Sequence, residues 1–137
     1  APYFRDHFQF LVETYGKDWV RLLDLNTTIL EYTAKAIGLQ TQFKLSSELG
    51  AEGKGTDLLV QICKNLGGDT YLSGSAGRKY LNEQKFRDCG ISLSYFQYYP
   101  TAYPQLWGDF IANLSVLDLL FNCGERALRA LLGQRAK

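Results

Sequence analysis

The residues of this 137-residue chain that could do chemistry lie in three short stretches. The first is Ser73-Gly74-Ser75-Ala76-Gly77, followed at once by Arg78 and Lys79, within "TYLSGSAGRKYL". The lead-in through Thr70, Tyr71 and Leu72 favours a strand, so the glycines mark a strand-to-helix turn. Backbone N–H groups and the helix dipole at such a turn favour an anionic oxygen. Glycine lets a ligand approach the backbone closely, Ser73 and Ser75 offer hydroxyls, and Arg78 or Lys79 adds positive charge. The pattern is neither G-x-G-x-x-G nor a Walker loop. A tight connection with surface charges would read the same way.

The second stretch is "SSELGAEGKGTD", Ser46 to Asp57. It reads as another strand-to-helix crossing, which in a parallel sheet would open onto the same edge as the first turn. Ser46, Ser47 and Thr56 would then face Ser73 and Ser75 across a cleft; a plain surface loop is the alternative. The third stretch is aromatic: Tyr95, Phe96, Tyr98, Tyr99, Tyr103 and Trp107. Such rings stack on bases or sugars, and they equally build cores and subunit interfaces.

Signals for catalysis are poorer. The single histidine, His7, sits in the apolar helical run "RDHFQF" and reads as a packing residue. Cys63 lies four positions after Leu59 on an apolar helix face and reads as an inert hydrophobe. Asp118 falls in the first turn of a helix, where the dipole accounts for it. Cys63, Cys89 and Cys123 form no C-x-x-C pair, so the sequence implies reduced thiols and no zinc site. Neither a cofactor nor a metal is indicated.

The elements that must position these residues follow from periodicity. "PYFRDHFQFLVETYG" spaces Phe4, Phe8, Leu11 and Tyr15 as a helix ending at Gly16, and a second helix runs through Leu22, Leu25, Ile29 and Ile37 to Gly38. "LQTQFKL" alternates as a half-buried strand. Thr56 or Asp57 caps a helix that stops at Gly67-Gly68. A second strand covers Asp69 to Ser73. "RKYLNEQKFRDCG" is helical with a fresh cap at Asn82, and "ISLSYFQY" is a third strand. The last helix starts at Ser115 and is interrupted at Gly124. Strands alternating with helices predict an α/β fold, a small, mostly parallel sheet of about three strands flanked by helices, helical at both ends.

Bulk properties agree with one domain over residues 1–137. Hydrophobic residues make up 46% of the chain and aromatic residues 14%, enough for a core. Fifteen basic and 14 acidic residues are intermixed, so no nucleic-acid surface is suggested. Apolar runs are broken well before the ~20 residues of a membrane span. The chain opens at Ala1 and contains no methionine, which points to a removed leader or a longer parent chain.

The segments "LDLNTTILEYTAKAIGLQTQFKLSSELG", "DTYLSGSAGRKYLNEQKF" and "GISLSYFQYYPTAYPQLWGDFIANLSVLDLLFNCG" resemble the carboxy-terminal part of WbqC-like proteins. The resemblance runs from about Ala1 to Gly124 and rests on YLSG-x-x-G-x-x-YL, YPQ-x-x-x-x-F and LS-x-LDLLFNCG. It implies a cytoplasmic biosynthetic protein of bacterial O-antigen or capsule clusters, acting on an activated sugar or related small molecule. The family's amino-terminal His-Gln-Pro block has no counterpart here, so the expectation is the carboxy-terminal part of a longer chain.

Together these readings give a transferase-like protein whose ligand, a nucleotide or nucleotide-sugar, is held by Ser73, Gly74, Ser75, Gly77, Arg78 and Tyr80, with Ser46, Ser47 and Thr56 opposite. Tyr103 and Trp107 supply aromatic contact. A homo-oligomer, or association with the absent amino-terminal part, completes the partners; nucleic acid and membrane are not among them. The alternative is a non-catalytic module that docks on a partner enzyme through its aromatic loop.

Overall fold

The computed structural model describes residues 1–133. In chain order these form α1 (Phe4–Tyr15), α2 (Leu22–Ala36), α3 (Gly55–Asn65), β1 (Thr70–Gly74), α4 (Glu83–Asp88), β2 (Ser92–Phe96), α5 (Val116–Cys123) and α6 (Ala127–Leu132). Single 3-10 turns lie at Ser46–Glu48, Ser75–Lys79 and Gly124–Arg126. The chain folds as two compact units, Ala1–Gln42 with the chain from Pro100 onward, and Phe43–Tyr99.

The first unit is helical. The aromatic spacing of α1 puts Phe4 against Phe8 and Phe121, while Phe10 stacks face to face on Tyr32 of α2 at 3.5 Å. The core beneath them is Ile37, Leu119, Leu120, Cys123 and Ala127. α2 stops where the sequence predicts: Gly38 takes φ +86°, and the Leu39 amide turns back to the Ala34 carbonyl. Gly124 likewise interrupts the last helix at φ +52°, in a space where a Cβ would sit 2.5–2.7 Å from the Tyr3 ring. Ser115 caps α5 through the Leu117 amide, as expected.

The second unit is a βαβ arrangement. β1 and β2 pair in parallel, with Ser73 beside Tyr95 and Gly74 beside Phe96. Tyr71 and Leu93 pack on a core of Val60, Cys63, Phe86 and Ile91, in which Phe86 is 0% exposed. Leu72 and Phe96, one residue out of step, are exposed, as a period of two requires. Asn82 caps α4, accepting the Gln84 and Lys85 amides at 3.0 and 3.4 Å.

The α/β class and the parallel pairing match the sequence reading, with two corrections. The sheet of the described residues has two strands, not three, because "LQTQFKL" is irregular. Its alternation carries too little apolar area to bury: Phe43 is 40% exposed, and no strand supplies a ladder for its amides. The N-cap position of α3 is Lys54, without a side-chain cap, so neither Thr56 nor Asp57 caps it. Thr56 lies inside the helix, buried, and Asp57 pairs with Lys85 at 2.6 Å on the surface.

Candidate functional site

The turn after β1 packs closely over the end of the strand. Ser73 points inward and is buried, its hydroxyl donating to the Gly74 carbonyl at 3.1 Å. Gly77 packs directly on it: a Cβ at 77 would overlap the Ser73 hydroxyl and lie 2.9 Å from Leu81 Cδ1. These two residues are explained by close packing of the turn over the strand end. Gly74 differs. Its backbone is ordinary extended chain (φ −66°, ψ 159°), and a Cβ there would meet nothing within 4 Å. Conformation and packing both leave room above it.

Arg78 leans over the Tyr95 ring, its guanidinium carbon 4.0 Å from the centroid. Such stacking is worth about 0.5–1 kcal/mol at an exposed site and fixes the plane of the guanidinium. Tyr95 is oriented in turn by donating its hydroxyl to Glu83 Oε1 at 3.2 Å. Loss of hydration, followed by that bond to Glu83, pushes the Tyr95 phenol up, so it remains a neutral donor. Arg78 itself forms no ion pair or hydrogen bond among the described residues. The turn that begins at Gly74 thus carries a guanidinium stacked on Tyr95 with unspent donors, together with an uncrowded Gly74 and an exposed Ser75. Ser75 and Ala76 open the 3-10 turn, where the first amides lack partners within the turn.

Thr56 reaches the same region from α3, its hydroxyl accepting the Asn82 amide at 3.1 Å. That bond ties α3 to the exit of the turn, so Thr56 is a brace. Tyr80 follows the turn, with its ring exposed and its amide donating to the Gly77 carbonyl. Ser46 and Ser47 are not brought here. Their 3-10 turn is anchored at the far end of α3, where Asn65 donates to the Leu49 carbonyl at 2.7 Å. The 11 residues of α3 span about 16 Å, separating them from Thr56. The sequence reading missed Tyr95 as the ring under Arg78 and Glu83 as the acceptor that orients Tyr95. The parallel register of "SLSYF" with "TYLSG", which sets Tyr95 beside Ser73, is the signal that locates the ring.

In the first unit Tyr103 and Trp107 part company. Tyr103 donates to Asp118 Oδ2 at 2.7 Å, and its ring packs on the core and edge-on to Phe110. Gln105 holds both backbone groups of Ile111, at 2.8 and 3.0 Å, and also reaches Asp118; Asn122 closes the network on Asp118. YPQ and LDLLFN thus specify a clamped loop. Trp107 projects from that loop, 83% exposed.

His7 packs against Phe121 with its Nδ1 2.8 Å from the Tyr32 hydroxyl, as a packing residue would. Burial pushes the Cys63 and Cys123 thiols up, which makes both poor nucleophiles. Among the described residues no three His, Cys, Asp or Glu side chains gather as metal ligands. The turn presents an exposed hydroxyl and a guanidinium with free donors, and its residues form no nucleophile–base pair.

Comparison with known proteins adds the following. The model of the WbqC-like protein family matches residues 1–130. The chain is 35% identical over 105 residues to the uncharacterized protein Rv1507c of Mycobacterium tuberculosis (strain ATCC 25618 / H37Rv), a match covering 75% of this chain and 45% of that protein. The chain therefore spans less than half the length of the curated relative it matches. No solved structure matches. Among the described residues no helix is long and apolar enough to cross a membrane.

Proposed function

Because the chain belongs to the WbqC-like protein family, we propose that it serves biosynthesis by holding a nucleotide or nucleotide-sugar through its phosphate at the carboxy-terminal end of β1. The reaction class is group transfer onto an activated sugar or related small molecule, in the cytoplasm, during bacterial surface-polysaccharide assembly. The observation that carries the reading is Arg78, stacked over Tyr95 with its donors free, in the same turn as the uncrowded Gly74. Guanidinium suits phosphate because its planar fork donates two parallel hydrogen bonds. Ser75 adds a hydroxyl and Tyr80 an exposed ring; Ser73 and Gly77 shape the turn from beneath.

Titration of UDP-glucose followed by amide and arginine side-chain NMR tests this directly. The reading requires saturable shifts centred on Gly74, Ser75 and the Arg78 Nε–H. Shifts scattered elsewhere, or none at millimolar ligand, reject it.

Trp107 favours a second reading, a docking module that meets a partner enzyme through the clamped loop. Large aromatic side chains held rigidly on a surface are typical binding anchors. Chemical crosslinking of the chain in a lysate of its own cells, as wild type and Trp107→Ala, separates the two. A complex lost in the variant supports docking, and an undiminished complex removes Trp107 from it.

A further inference from the structure

The first unit contains a cavity of about 310 Å3 that the reading above does not use. Its wall is mostly apolar, including Tyr103, Pro104, Cys123 and Ala130, and Arg126 and Arg129 also line it. Three features make it more than a surface dent. The Tyr103 ring cannot swing, because its hydroxyl is tied to Asp118 at 2.7 Å. Burial raises the Cys123 thiol, so that part of the wall stays neutral. The two arginines, three residues apart and both exposed, form no ion pair among the described residues.

Like charges at this helical spacing repel one another, and an anion placed between them relieves that repulsion. A cavity with an apolar body and a few convergent polar groups is the usual form of a small-ligand site, and this one lies at the small end of the size range. We propose that it binds a small organic carboxylate with an aromatic body, the carboxylate on Arg126 and Arg129 and the ring between Tyr103, Pro104 and Ala130. The pocket's charge selects the head group and its volume limits the body. The claim is independent of the phosphate site, since none of its residues belongs to the turn after β1.

The test uses the 137-residue chain with sodium benzoate as probe and benzamide as its uncharged counterpart, followed by amide NMR. Benzoate is expected to shift the Thr101, Ala130 and Gly133 amides saturably and at least tenfold more tightly than benzamide. Arg126→Gln with Arg129→Gln, both exposed, should weaken benzoate at least tenfold. Ala130→Leu, which fills the cavity, should abolish the shifts while the amide spectrum remains folded. Equal affinity for benzamide, benzoate affinity unchanged in the double variant, or no saturable shifts at these amides overturns the proposal.

Discussion

Gly74 and Gly77 stand three residues apart in one turn, and the structure gives them opposite tolerance to a methyl group. At position 77 a Cβ would overlap the Ser73 hydroxyl and lie 2.9 Å from Leu81 Cδ1 and 3.2 Å from Ser73 Cβ. Ser73 is buried and Leu81 packs against the core, so neither can withdraw without cost. Overpacking of this kind costs about 1–3 kcal/mol. With a urea slope of about 2 kcal/mol/M, a loss of about 2 kcal/mol lowers the unfolding midpoint by about 1 M. Gly74→Ala meets nothing within 4 Å at an ordinary φ, and it restricts the unfolded chain. It should leave stability unchanged or raise it by up to about 1 kcal/mol. Urea melts of both variants, with Ser73→Ala/Gly77→Ala as a partial rescue, measure the contrast. If the two glycine variants lose the same stability, the packing account of the turn is wrong.

Three further outcomes follow from the same geometry. Phe86→Ala empties a fully buried site in the second unit and should cost about 3–5 kcal/mol in urea melts. Asn82→Ala removes the only side chain capping α4 and should cost about 1 kcal/mol, with faster amide exchange at Gln84 and Lys85. Because burial raises the Cys63 and Cys123 thiols, the unfolded chain releases these protons first, at about pH 8.5. Their contribution to stability is therefore intact below that pH and lost above it, so the melting temperature should fall from about pH 9 upward, and a rise over that range would contradict the assignment.

Most of the fold was legible because each element carries a local cause. Gly16, Gly38 and Gly67 stop helices, Asn82 and Ser115 start them, and the alternation in "SLSYF" gives the strand its faces. What failed depends on partners that no local pattern reveals. "LQTQFKL" alternates correctly yet finds no strand to pair with, and Thr56 has the right hydroxyl to cap a helix but spends it on the Asn82 amide. The candidate site divides along the same line. The turn and Arg78 could be read from residue types, whereas the stacking of Arg78 on Tyr95 depends on strand register. Ser73 and Gly77, which look like ligand contacts in the sequence, face each other instead of solvent. Ser46 and Ser47 needed the Asn65–Leu49 bond to show which end of α3 they occupy.

The central claim is that Arg78 holds a phosphate at the end of β1, and calorimetric titration of UDP-glucose into the chain and its Arg78→Ala variant tests it most directly. A charge-assisted hydrogen bond contributes about 1.5–3 kcal/mol. The variant should therefore bind roughly ten- to a hundredfold more weakly, with its fold intact because the side chain is exposed. Equal affinity in the two proteins would contradict the claim.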